Sequence, residues 1–266
     1  MTTAIVIPAR YASSRYPGKP LAFLTGATGV AKPLVQRSIE AARSVSAVDH
    51  LFVATDDDRI AHVARECGAD VAMTPSECLN GTARVAAAMA SLPDAVDIIV
   101  NFQGDALLTP PDLVAALIAH MRSDPACEVA TVAVRCSPSA YAHLVADQAQ
   151  GRVGGTTVVC DAGSNALYFS KRVLPHIAPG DPREAAPPVL LHLGLYAYRR
   201  TALARYAALP PTDLEVIEGL EQLRFLYHGI SVAVVVADPP AWDAIELNNP
   251  TDTGPIEAIL SARGIV

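Results

Sequence analysis

The chain opens with an apolar run, Thr3-Ala4-Ile5-Val6-Ile7-Pro8, that breaks at a proline into a polar stretch from Arg10 to Lys19. A continuous apolar run of this length predicts a strand buried on both faces, followed by a loop. Residues 34–47 then carry helical spacing through Leu34, Ile39 and Ala42, and residues 50–55 predict a second strand. Asp56-Asp57-Asp58 stands at the carboxyl end of that strand, where an acid can cap the helix expected over residues 59–68. The glycine at 68 suits the position just past a helix end. The alternation continues with a strand at 70–73, a helix at 82–89 and a strand at 97–102. A helix opened by Pro110-Pro111-Asp112 runs to His120, and residues 128–134 form a further strand. Strands and helices alternating at this spacing predict a parallel sheet covered on both faces.

From about residue 153 the texture changes. Residues 156–160 and 166–169 read as paired strands, and 190–198 as another strand. An amphipathic helix is expected over 214–226, a β-branched strand over 231–237 and a last helix over 252–262. Neither an internal repeat nor a low-complexity segment interrupts the series. The expectation is one α/β domain over residues 1–266, with a mostly parallel, Rossmann-like sheet, helices on both faces and a mixed-sheet excursion near residues 150–200.

Composition narrows the function classes. Of 266 residues, 51% are hydrophobic and 18% charged, which excludes a disordered chain and allows a full core. No apolar run approaches the roughly 20 residues of a membrane span. The opening residues carry no basic stretch and cleavage site, so no secretory leader and no membrane partner are expected. A net charge of −7 argues against a partner that is a nucleic acid polymer. Five cysteines without a C-x-x-C pair fit neither a disulfide framework nor a zinc ribbon, and read as reduced, mostly buried thiols of a cytoplasmic protein. Of the 20 basic residues only Lys19, Lys32 and Lys171 are lysines, so each stands out against a background of arginine.

The chemistry is expected at the carboxyl ends of the strands, where open parallel sheets bind ligands. The first such loop, Pro8-Ala9-Arg10-Tyr11-Ala12-Ser13-Ser14-Arg15-Tyr16-Pro17-Gly18-Lys19-Pro20, holds two arginines and a lysine among small residues. Cations and close backbone N–H groups suit a triphosphate, although an ordinary solvated basic loop has the same composition. The sequence is not a P-loop and lacks the G-x-G-x-x-G of a dinucleotide fold, which argues against an NAD-dependent dehydrogenase. Gln103-Gly104-Asp105 follows an apolar strand and sets a carboxylate where Mg²⁺ can be held with phosphate oxygens. A turn or capping aspartate reads the same way. Asp56 reads first as a helix cap. Asn80-Gly81-Thr82 is a turn with hydrogen-bonding groups.

Taken in order, these motifs resemble the 3-deoxy-manno-octulosonate (KDO) cytidylyltransferases. The resemblance runs through the opening loop from Ile7 to Leu21, Val53-Ala54-Thr55-Asp56, Met73-Thr74, Gly81-Thr82-x-Arg84 and Val100-Asn101-x-Gln103-Gly104-Asp105. It resumes at Tyr168-Phe169-Ser170, His192-Leu193-Gly194-Leu195-Tyr196-Ala197-Tyr198-Arg199 and Leu214-Glu215-x-Ile217-Glu218-x-Leu220-Glu221-Gln222-Leu223-Arg224, and so covers nearly the whole chain. It implies a fold of the nucleotide-diphospho-sugar transferase type and a single nucleotidyltransferase domain. Within it, residues 1–150 would bind CTP, 151–240 would bind the acceptor and dimerise, and 241–266 would close the chain. It further implies transfer of CMP from CTP to a small acidic acceptor, release of pyrophosphate, a Mg²⁺ requirement and a homodimer.

Carried over by position, Arg10, Lys19 and Asp105 are the implied catalytic residues. Pro8, Ala9, Arg10, Ser14, Arg15, Lys19, Met73, Thr74, Asn80, Gly81, Thr82 and Gln103 would hold CTP. Gln103, Lys171, His192, Tyr196, Glu218 and Gln222 would meet the acceptor, and Asp105 with Asn248 the metal. The acceptor oxygen would attack the α-phosphorus in line, with no protein nucleophile. The departures are specific. Ala83 replaces an acid, Lys171 stands where arginine is frequent, and residues 24–32 form a longer loop. Asn248 replaces a metal-binding aspartate, with Glu246 and Asp243 as nearby acids. Lost acids favour a more negative or smaller acceptor, so a phosphonate such as phosphonoformate is the expectation, with KDO as the alternative. A CTP-binding regulator without catalysis is a further alternative.

Overall fold

The computed structural model describes residues 1–13, 16–242 and 245–266. They form two compact units, Met1–Ile118 with Pro240–Val266, and Ala119–Pro239.

Unit 1 holds strands β1 (Thr2–Ala9), β2 (Phe23–Thr25), β3 (Ala31–Pro33), β4 (His50–Thr55), β5 (Asp70–Met73) and β6 (Val96–Asn101). The order β6-β1-β4-β5 is parallel throughout, with Val6 opposite both Phe52 and Asn101. Residues 4–7 of β1 are fully buried, as the unbroken apolar run requires of a strand covered on both faces. Helices α1 (Leu34–Arg43), α2 (Asp58–Glu66) and α3 (Gly81–Ala88) connect these strands, α4 (Pro111–Ser123) follows β6, and a helix at Thr253–Ala262 closes the unit. Helix α1 stops short of the expected residue 47. Ser44 caps it, and Ala47 sits at φ +65, outside the right-handed helical region. The cap of α2 is Asp57, not Asp56: its side chain accepts from the backbone N–H groups of Arg59 and Ile60.

Residues 24–32, expected as a loop, contain a hairpin. Leu24 pairs with Lys32, and Phe23 and Thr25 pair with Pro33 and Ala31. The buried Arg37 guanidinium holds it by donating to the carbonyls of Leu24 (2.8 Å), Val30 and Val266. Lys32 donates to Glu40 at 2.9 Å. Leu24 and Leu34 then join Leu107, Leu108, Leu247, Ile256 and Leu260 in the core.

Unit 2 holds β7 (Val129–Arg135), α5 (Pro138–Ala149), β8 (Thr156–Cys160), β9 (Ala166–Ser170), β10 (Leu190–Arg199), α6 (Arg200–Ala208), α7 (Asp213–Glu218), α8 (Leu223–Tyr227) and β11 (Val232–Ala237). Strand β11 runs parallel to β7. The pairs β7–β10, β10–β8 and β8–β9 are antiparallel, which is the mixed excursion expected near 150–200. The single helix expected over 214–226 is two. Gly219 takes a left-handed φ of +61 and ends α7, and Leu220 N–H closes the turn on the Glu215 carbonyl. Among the described residues no helix is long and apolar enough to cross a membrane.

Candidate active site

The sequence of unit 1 builds a cleft of about 260 Å³ from the loops after β1, β5 and β6. Gly18, at φ +72, donates to the Tyr11 carbonyl at 2.9 Å and so turns the first loop back on itself. A one-turn helix at Lys19–Leu21 then carries Lys19, whose ammonium pairs with the Asp105 carboxylate. Asp105 is held from both sides. At Gly104 a Cβ would stand 2.6 Å from the Pro8 carbonyl oxygen, so only glycine lets the loop after β6 close onto β1. Ser38 Oγ donates to the Gly104 carbonyl at 2.8 Å, and Leu247 N–H approaches the Asp105 carbonyl at 3.4 Å.

The third wall is the start of α3. Asn80 caps this helix, accepting from Ala83 N–H at 2.8 Å. Gly81 comes so close to Gln103 that a Cβ would meet its amide at 3.3 Å. Arg84 reaches from the same helix to Thr74 Oγ1 at 2.7 Å and to Asp56 at 3.3 Å, while Asp56 accepts from Tyr11 N–H. Asp56 is therefore a strut between the basic loop and α3. Arg59, clamped by Asp57, lies 3.7 Å above the Tyr11 ring and holds the Asp57 carboxyl below its usual range.

The cleft brings together Pro8, Ala9, Arg10, Lys19, Asn80, Gly81, Gln103, Asp105 and Asn248, nine of the residues the sequence singled out. Ser14, Arg15 and Asp243 lie outside the described residues. Thr82 and Thr74 are buried, and Met73 is half-exposed at the end of β5; none of the three lines the cleft. Ser13, Cys78 and Arg84 line it without having been singled out as binding residues. Burial pushes the Cys78 thiol up from its usual value, which keeps it protonated. Of the five cysteines, none is in a disulfide, but only Cys136 is buried, fewer than expected.

Among the described residues no group of three or more His, Cys, Asp or Glu side chains stands ready to hold a metal. Asp105 and Asn248 nevertheless share the cleft, and a carboxylate with an amide carbonyl is a hard-oxygen set that suits Mg²⁺ joined by phosphate oxygens. The Asn248 amide nitrogen is turned toward Glu246, at 3.5 Å.

The residues expected to meet the acceptor, Gln103 apart, belong to unit 2. Glu218 accepts from Ser170 Oγ (2.8 Å), Lys171 N–H (3.1 Å) and Tyr168 Oη (3.4 Å). The Lys171 ammonium lies against Gly219, where a Cβ would come within 2.8 Å of it. His192 bonds Thr131 Oγ1 at 2.9 Å and packs edge-on against Phe169 and beside Tyr196. Desolvation pulls its pKa down to about 3, so the ring is neutral at physiological pH. The ring therefore offers an acidic acceptor a hydrogen-bonding edge and no positive charge. Gln222 is only 2% exposed and stands at the N-cap position before α8.

The cytidylyltransferase family model matches residues 4–232. A 3-deoxy-manno-octulosonate cytidylyltransferase from Maricaulis maris is 41% identical, with 99% of each chain covered. The Zea mays enzyme of that name is 36% identical over 98% of this chain and 81% of its own. The solved structure of a CMP:2-keto-3-deoxy-manno-octonic acid synthetase complexed with CTP superposes with a TM-score of 0.83 at 33% identity, over 99% of this chain and all of that one. These relatives back KDO, the alternative, better than the phosphonate expected from the lost acids. The cleft, the mostly parallel sheet with its mixed excursion and these full-length likenesses agree: the chain is a cytidylyltransferase and belongs to the 3-deoxy-manno-octulosonate cytidylyltransferase family.

Proposed function

We propose that the chain transfers CMP from CTP to KDO and releases pyrophosphate. The observation that carries this reading is the Lys19–Asp105 pair in a cleft walled by Asn80, Gly81 and Gln103, in a chain 41% identical to an enzyme of that name. Arg10 and Lys19 hold the triphosphate and stabilise charge as it moves onto the leaving pyrophosphate. Asn80, Gly81 and Gln103 face the cytosine ring, with Thr82 and Thr74 behind them. The acceptor oxygen attacks the α-phosphorus in line, so the reaction needs positioning and electrostatics rather than a protein nucleophile. Asp105 and the Asn248 carbonyl are the residues that would hold Mg²⁺, which when bound would neutralise phosphate charge. One carboxylate is a weak site by itself, so phosphate oxygens of the nucleotide would have to complete it.

On the acceptor side Lys171 supplies the positive charge, Glu218 and Gln222 bond hydroxyl groups, and the neutral His192 with Tyr196 presents a polar edge on an aromatic wall. Unpaired thiols fit a reducing cytoplasm. The protein works as a homodimer, which the exposed apolar side chains of α7 support. The deciding experiment measures pyrophosphate release with CTP and Mg²⁺ against KDO, related sugar acids and small phosphonates. Turnover confined to KDO is expected. Turnover of phosphonoformate without KDO overturns the acceptor, and an Asp105→Ala variant with wild-type turnover overturns the metal site.

A further inference from the structure

Asn101, the last residue of β6, is fully buried, and neither its Oδ1 nor its Nδ2 has a hydrogen-bond partner among the described residues. Buried amides are almost always satisfied, because an unpaired one forfeits its water without return. Folds tolerate such a group chiefly where function needs it. The location gives the reason. Residues two apart at the end of a strand share a side, and Asn101 and Gln103 both lie against Gly81. A Cβ on Gly81 would meet Gln103 Nε2 at 3.3 Å, Gln103 Oε1 at 3.4 Å and Asn101 Nδ2 at 3.5 Å. Asn101 thus sits beside the Gln103 amide, which lines the cleft, and beneath the first turn of the helix that walls it.

We propose that Asn101 is a positioning residue for nucleotide recognition: when the nucleotide binds, its amide, unpaired until then, engages the Gln103 amide and the first turn of α3 and sets them against a pyrimidine base. This rests on the reading of the cleft as the CTP site. An asparagine there offers one donor pair and one acceptor, enough to engage Gln103 and the α3 backbone together. A leucine of similar volume keeps the packing and removes both polar atoms.

The test uses the full-length protein and calorimetric titration with CTP alone, without acceptor. Asn101→Leu is expected to bind CTP at least about tenfold more weakly, with an unfolding midpoint equal to or above that of the wild type. KM for CTP rises while kcat at saturating CTP stays within about threefold. Asn101→Leu combined with Gln103→Leu binds within about threefold of Gln103→Leu alone, since the first residue acts through the second. If the leucine disturbs the fold, Asn101→Ser is titrated in its place with the same expectation. Wild-type affinity in the variant, or losses that simply multiply in the double variant, overturns the inference. A wild-type protein that fails to bind CTP overturns the underlying reading instead.

Discussion

At the scale of single residues, the site depends on contacts that tolerate little change. Asp105 carries the only carboxylate of the proposed metal site that is paired with Lys19, so Asp105→Asn removes the charge while keeping the shape. Pyrophosphate release is expected to fall by about 10²–10³-fold, the usual cost of one electrostatic group at a reacting phosphate. Gly104 is a purely steric requirement. An added Cβ at 2.6 Å from the Pro8 carbonyl must move backbone, and Gly104→Ala is expected to destabilise the protein by about 1–3 kcal/mol in urea denaturation. His192 has a signature in pH. Its folded pKa of about 3 lies below the ordinary histidine value of 6.5, so the unfolded chain binds the extra proton between these limits. Its share of stability is complete above pH 6.5 and is lost as pH falls toward 3, amounting to about 1–2 kcal/mol at pH 5. The difference between wild type and His192→Gln in denaturation at pH 8 and pH 5 isolates that share.

At the scale of elements, α7 and α8 are what hydrophobic spacing alone misread. The apolar positions at 214, 217, 220, 223 and 226 keep a helical period across Gly219, but the chain breaks there and folds back. The fold-back is held by a buried ion pair, in which Arg224 donates to Glu215 through Nε at 2.8 Å and Nη2 at 2.5 Å. The capping box of Thr212 and Glu215 fixes the acid in place. Removing one partner strands the other charge in the interior. Arg224→Met is expected to cost about 3–5 kcal/mol, and the paired change with Glu215→Leu to recover most of it, both read from unfolding midpoints. The hairpin of β2 and β3 leaves no trace in the hydrophobic pattern for a related reason. Its short strands carry no alternation, and its order comes from Arg37 and Lys32, which lie on α1 and on β3 itself.

For the whole molecule, the chain leaves unit 1 at Ile118 and returns to it at Pro240, with unit 2 formed by the intervening residues. The net charge of −7 coexists with Arg10, Lys19 and Arg84 around one cleft, an arrangement suited to a single nucleotide and not to a polymer. Helix α7 leaves Val216 70% and Ile217 80% exposed, an apolar pair that the proposed homodimer would cover. Analytical ultracentrifugation is expected to find a dimer for the wild type and a monomer for Ile217→Asp, and a wild-type monomer contradicts the proposed assembly.

The order of strands and helices was legible because hydrophobic period is local: each run records which of its own faces is buried, and β4, β5 and β8 fall where their patterns end. The loops at the strand ends were legible for the same reason, and the resemblance named most of the cleft. What a one-dimensional pattern does not carry is the identity of the group across a contact. Lys19 meets Asp105 across 86 positions, and Asp56 serves Arg84 and Tyr11 rather than a helix end. The neutrality of His192 comes from the aromatic wall around it, and Asn101 was one letter in a motif until its burial left both amide atoms unpaired. Sequence by itself determined the layered architecture and where chemistry had room to sit. Only the tertiary structure decided the partners, and with them each group's charge and desolvation, because these depend on atoms brought together from distant parts of the chain.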